Sequence, residues 1–523
     1  MKKFKIYINM KFLICIIVFL SGGLLNTFTL NGQSAKIEDI LSIRLSDAGP
    51  LLEGQEVRGY YFIYETESAN KEMKSYDLRI HDVNLNLLKK KKITVPKTNI
   101  IQTVLYNGRS ICLKFFDSKE DNYVFKAYDL LGEPLFTKDT DKISRMESYK
   151  STTASEEYPS FYSIPHFGYI NYTLTKEKGE KHGYNINLYS DNESTPHWIY
   201  NSQSDQIEVA MHLAADSNFA YFNIMKRDAV LSQDVEGYVM ALSSKTGKQA
   251  FEVPLKNKGY KYLAFSSFIG PTGNLHMVGR YYNEADKVLK SKGLGLAMLE
   301  IDPTGKFVNT VLIPSNDKLL LNSGLVEQDE KADKSKYFFF HDFISLDDGR
   351  ILGIGESYSL KINVLGLAAM AAAGGGQGST QDLAIEDMYV FEFDKSFNLK
   401  SIQRFNKYKS NFPLPGMPLP FPIFYSFYVK ERGGFDYEFF QKNADNTEAA
   451  IYYMDYEKRA GEANNTVLGA IFATKDGYTT DKFDLQKSAD ITSVFPGTFG
   501  SVVTVNYFRK LRAMDIQIVK LNY

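Results

Sequence analysis

The stretch Leu296-Ala297-Met298-Leu299-Glu300-Ile301-Asp302-Pro303-Thr304-Gly305-Lys306-Phe307-Val308-Asn309-Thr310-Val311-Leu312 decides how the chain reads. Two β-rich runs flank a four-residue turn in which proline pre-sets one dihedral and glycine accepts positive φ, so a hairpin is expected. Related turns stand at Asp82–Asn86, Asp129–Gly132, Asp191–Glu193, Ser243–Gly247, Asp394–Asn398 and, more weakly, Asp455–Gly461. Their starts are 47, 62, 52, 59, 92 and 61 residues apart, with Asp302 taken in its place. A second set of tight turns alternates with them: Asn107-Gly108-Arg109, Asp216-Ser217-Asn218, Pro271-Thr272-Gly273-Asn274 and Asp347-Asp348-Gly349-Arg350. About four strands per unit, repeated at this period, is the pattern of propeller blades. The expectation is an all-β chain forming a single β-propeller of about seven four-stranded blades. Ser501–Phe508 and Asp515–Leu521 either add an eighth or close the ring with Ala35–Leu45. Tandem β-sandwich domains are the alternative, but no linker or composition shift divides the chain.

This architecture sorts the connections. With strands A to D counted outward, A–B and C–D turns share one face and B–C and D–A connections share the other. Tight turns at A–B and C–D leave the long connections together. These are Asp117–Tyr123, Lys226–Gly237, Tyr282–Gly293 and Ser357–Glu386 as B–C loops, with Lys142–His166 and Tyr408–Phe424 as D–A loops. Long loops on a rigid scaffold are where binding usually resides, so this face is the expected functional surface. Its candidate contact residues are Phe412, Leu414, Met417 and Phe421 in a run with five prolines, which face either their own domain or a partner. Glu356 and Glu284 are expected on the same face. The Ala- and Gly-rich insertion around Gly366–Ser379 reads as a flexible or partly helical excursion.

The bulk composition agrees with a globular sheet protein. Of 523 residues, 44% are hydrophobic and 24% charged, and Tyr and Phe, which favour pleated surfaces, are abundant. A net charge of −1 gives no reason to expect a nucleic-acid partner. The beginning differs: Lys2, Lys3, Lys5 and Lys11 precede an apolar run, Phe12–Leu20, and then small residues. Residues 1–34 read as a secretory signal peptide and 35–523 as the propeller domain. Export to the periplasm, cell surface or exterior follows. The apolar run is too short for a comfortable membrane span, so no stable span is expected after leader removal. Loss of four lysines and no acid would shift the net charge from −1 to −5. Cys15 would leave with the leader, and Cys112 alone makes no internal disulfide.

Catalytic motifs are sparse. The seven histidines form no short metal-ligand pair, and there is no nucleophile elbow, Walker loop or dinucleotide fingerprint, so neither metal nor cofactor is expected. Ser345-Leu346-Asp347-Asp348-Gly349 resembles part of the Asp-box of sialidase-type propellers, but Ile351 and Leu352 follow where that box is completed by an aromatic. Lys89–Lys92 reads as a solvated edge strand, with a nucleic-acid or membrane patch as the competing reading.

As a whole, the chain resembles an uncharacterised family of exported bacterial proteins with propeller-like repeats. The likeness rests on the leader, Ala35–Leu45, Gly59-Tyr60-Tyr61-Phe62 and Glu386–Phe393, and it implies no activity. The expectation is a non-enzymatic binding or scaffold protein that presents the loop face to a protein or glycan. The alternative is a propeller hydrolase, glycosidase or peptidase-like, with carboxylates at the central channel.

Overall fold

The computed structural model describes residues 33–521, apart from 69, 144–159, 176–182, 192–196, 203–205, 230–231, 233, 289–290, 292, 326–336, 363–380, 415–424, 427–428, 431, 458–464 and 487. All but the last two residues of the expected leader, 1–34, therefore lie outside the described residues, as does the whole Ala- and Gly-rich insertion Gly366–Ser379.

Eight antiparallel sheets form eight blades in a ring. In chain order they occupy residues 48–96, 99–139, 161–201, 207–254, 256–314, 337–405, 437–484 and 491–520. Blades 1 to 7 run from inner strand A to outer strand D, each strand hydrogen-bonded to the next. Blade 8 takes A, B and C from the C-terminal region and its outer strand, Ser34–Ile37, from the start of the chain. Ser34 pairs with Gln517 and Ile37 with Met514, so this short strand closes the ring. The expected role of Ala35–Leu45 narrows to these few residues, and Ile37 and Ile40 are both fully buried.

Apolar side chains on both faces of each blade must find cover, and the next blade supplies it. A separate cluster accordingly fills each gap. Leu78, Ile80 and Ile93 of blade 1 meet Val104, Ile111 and Leu113 of blade 2. Ile37 and Ile516 of blade 8 meet Tyr60 and Phe62 of blade 1.

The C–D turn shows why its sequence recurs. In blade 5 the Asp302 amide donates to the Lys306 carbonyl, while the Asp302 carboxylate accepts from the Thr304 and Lys306 amides. Asp82, Asp129 and Asp394 make the same set of bonds with residues two and four further on. The residue three after the aspartate has positive φ: Leu85 (64°), Gly132 (77°), Gly305 (89°) and Phe397 (63°), and in blade 4 Gly247 (68°) holds the like place. A β-bulge follows each of these five turns, opposite Ile80/His81, Ala127/Tyr128, Ala241/Leu242, Glu300/Ile301 and Glu392/Phe393.

One turn is corrected. Asp455 lies in strand B of blade 7, Ala449–Glu457, so Asp455–Gly461 begins a B–C connection rather than a C–D turn. The C–D turn of blade 7 falls between Asn465–Thr474 and Gly477–Asp484. Counting such turns yields seven because blade 8, closed by a strand from elsewhere, has none.

Candidate functional site

The long connections named above lie at B–C and D–A positions, on the face opposite the C–D turns. Beneath this face, blade 6 departs from its neighbours. Its strands B and C, Ile351–Ile362 and Gln381–Phe393, are 12 and 13 residues long, against eight for Ser110–Asp117 and Asn122–Asp129 in blade 2. The register steps midway: Glu356 pairs with Met388 but Tyr358 with Ile385, so Ser357 faces both Glu386 and Asp387. Below the step, outer strand Leu399–Phe405 flanks strand C; above it, Ser410–Pro413 does so. The segment between, Asn406–Lys409, crosses the step.

That crossing is held almost entirely by charge. Arg404 reaches Asp387 at 2.6 Å and Lys409 reaches Glu386 at 2.7 Å. Lys407 stands 3.2 Å from Glu356 and pairs closely with Asp436 of blade 7, which also accepts from the Ser410 hydroxyl at 2.7 Å. The Tyr408 amide donates to Asp455, whose other oxygen takes Lys482 at 2.8 Å. Glu356 Oε2 accepts the Asp436 and Tyr437 amides at 3.1 and 3.0 Å. Strand B of blade 6 is thereby tied to the beginning of the inner strand of blade 7. An equivalent tie joins blades 2 and 3, where Lys114 in strand B donates to Ser160 at 2.6 Å.

His341 completes the group. It is the bulged residue of the inner strand, between Phe340 and Asp342, and its ring stacks on Tyr437 with centroids 5.0 Å apart. Nε2 lies 3.0 Å from Glu356 Oε2, but the ring N–H is not aligned for a hydrogen bond. Burial, which outweighs the nearby carboxylate, pushes its pKa down to about 4, so the ring is neutral at neutral pH. Burial works to raise Glu356, but Lys407 and the Tyr437 amide prevail and hold it well below the usual carboxylate range. Asp436 is raised to about 6 by burial and by Glu356, with Lys407 pulling the other way. One lysine between two enclosed carboxylates neutralises only one of them, and the second resists ionisation.

Glu356 is thus fully buried in this tie rather than open on the loop face. Leu414 is also buried and Phe412 partly so, in a satellite cluster with Leu383, Ile385, Tyr425, Val429 and Phe435. The proline-rich run begins by packing on its own blade. Met417 and Phe421 lie outside the described residues. Glu284 is exposed in the B–C connection of blade 5, whereas Glu356, Phe412 and Leu414 belong with blade 6. His341, Lys407 and Asp436 carry no motif in the sequence; only the register step brings them to Glu356. Among the described residues no three His, Cys, Asp or Glu side chains are grouped to hold a metal ion.

Ring, closure strand and loop-bearing face define an eight-bladed β-propeller. The chain belongs to DUF6770, a family of unknown function whose model matches residues 10–522. Against curated protein sequences it has no match. Among solved structures it is similar to the WD40 domain of SCAP from fission yeast, at 9% identity and TM-score 0.34, covering 91% of this chain and 98% of that one. It is also similar to the polysaccharide lyase Uly1, at 9% identity and TM-score 0.37, covering 94% and 100%. At such identity the likeness concerns the fold alone.

Proposed function

We propose that the protein is an exported, non-enzymatic binding propeller whose loop-rich face receives a protein or glycan partner. The observation that carries this reading is the asymmetry of the connections: long ones gather at the B–C and D–A ends, while five C–D turns share a tight geometry. The charged groups beneath the loop face support it. Glu356 and the Lys407 side chain are wholly enclosed and engaged with one another. A hydrolase using carboxylates at the central channel would need acids that a substrate touches.

The test uses the purified full chain on arrays of polysaccharides and of envelope proteins. A variant has residues 284–292 replaced by a short Gly-Ser turn and the half-exposed Tyr408 changed to Ala. Capture of a defined glycan or protein, weakened at least about tenfold (roughly 1.4 kcal/mol) in the variant, is expected. Capture indifferent to both changes would remove the loop face from the reading, and turnover of chromogenic glycosides or peptides by the intact chain would replace it with the hydrolase. Export is checked separately, by fusing residues 1–34 to a reporter active only outside the cytoplasm.

A further inference from the structure

The opposite rim carries a feature that the turn geometry does not require. In blades 1 and 2 the C–D turns and the strands that leave them expose Leu87 (49%), Leu88 (64%), Leu131 (68%) and Leu135 (38%). The repeat supplies its own control. Two residues after the turn aspartate stand Asn84, Leu131, Thr304 and Ser396; six residues after it stand Leu88, Leu135, Val308 and Lys400. The first position is polar in blades 1, 5 and 6, and the second holds an exposed valine in blade 5 (48%) and a lysine in blade 6, so the turn does not call for leucine. Of these four blades only 1 and 2, which are adjacent, expose leucines there.

Basic residues lie directly beside them. Lys89–Lys92 follow Leu88 along outer strand Leu87–Pro96. A Cβ on Gly132, next to Leu131, would sit 3.2 Å from Lys91 Cβ and 3.4 Å from Lys89 Cε, so the two blades bring leucines and lysines into one patch. Lys90 is paired with Asp77 at 2.9 Å. Lys89, Lys91 and Lys92 have no ion pair among the described residues, and Glu133 is exposed nearby. The Asp82 and Asp129 carboxylates are occupied by amides of their own turns.

We propose that this rim docks on the surface of an anionic lipid bilayer. Lysines meet lipid phosphates, while projecting leucines enter the interfacial layer. The combination selects the occupant. A second copy related by a two-fold axis would set the lysine run against itself. An acidic polysaccharide would satisfy the lysines and leave the leucines wet. The contact is peripheral: among the described residues no helix is long and apolar enough to cross a membrane. It uses the rim opposite the proposed binding face, so docking would turn that face away from the lipid.

The test is co-sedimentation of the purified full chain with vesicles of phosphatidylcholine alone or of phosphatidylcholine with phosphatidylglycerol. Salt-sensitive binding to the anionic vesicles only is expected. Leu88→Ser with Leu131→Ser should weaken it about tenfold, as should Lys89→Gln, Lys91→Gln and Lys92→Gln together, with thermal unfolding unchanged in both. Absence of sedimentation with phosphatidylglycerol vesicles would overturn the proposal. So would binding that survives both sets of changes. Binding lost with the lysines but indifferent to the leucines would also overturn it, and assign the patch to an acidic polymer or protein.

Discussion

At the residue scale, the turn position with positive φ shows two solutions to one constraint. Where the preceding blade's outer strand crowds the turn, only glycine fits: a Cβ on Gly247 would lie 2.5 Å from the Trp198 ring, and one on Gly305 2.8 Å from Phe251. At two further turns Leu85 and Phe397 accept the strained conformation and bury their side chains between blades. Holding an L-residue there costs about 1–2 kcal/mol, which burying a large apolar side chain offsets at about 1.5–3 kcal/mol. Gly349 has φ of 90° but open space around it, so it separates the two effects. Gly349→Ala should lose about 1 kcal/mol in urea unfolding, and Gly247→Ala at least about 1 kcal/mol more from overpacking. Equal losses would show that Trp198 yields freely. The sequence displays the aspartate of this turn plainly, because its carboxylate takes two amides whatever the neighbour does. It hides the choice between glycine and leucine, which depends on the preceding blade, close in sequence for Gly247 and Gly305 but at the far end of the chain for Leu85.

At the scale of elements, the tie between blades 6 and 7 is ionic where other gaps are mainly apolar. Enclosing such charges is costly, and removing one partner costs more than the pair contributes. Lys407→Met leaves Glu356 and Asp436 facing each other in a closed space and should cost about 3–5 kcal/mol by denaturant unfolding. Without the cation both carboxyls have raised folded pKa values, so their ionisation opposes folding. The deficit is therefore larger at about pH 7.5 than at about pH 5, where the folded state binds the extra protons. Adding Glu356→Gln to Lys407→Met should restore part of the loss. A single-variant loss below about 1 kcal/mol would mean that water reaches the tie.

Glu356 is visible in the sequence as an acid ending a β-rich run, but its burial is not. Strand length and register set that burial, and the Glu356/Tyr358 step leaves no mark in apolar periodicity. The bulges of the inner strands are hidden for the same reason. Phe412 and Leu414 were legible as apolar residues needing cover, and the satellite cluster of blade 6 covers them.

At the scale of the molecule, repetition made the propeller readable while its closure stayed open between seven and eight blades. Turn chemistry is local, whereas the pairing of Ser34 with Gln517 spans nearly the whole chain. Ile37→Asp places a charge at a fully buried position of the closing strand and should lower the unfolding temperature. Its hydrogen-exchange signature should be faster exchange in Ala513–Lys520 before any other blade loosens. Uniform loosening of all blades would instead show that the ring opens as one unit.

That closing strand also has a kinetic meaning. Its residues are made before every other strand of the ring, yet their partners are the last strand of the ring to be made, so the pairing carries the greatest loop-closure cost in the fold. Until it forms, Ala513–Lys520 presents a row of unpaired amides and carbonyls to any other strand it meets. The stage most exposed to aggregation is thus the last one, when seven blades are complete and the eighth still lacks its edge.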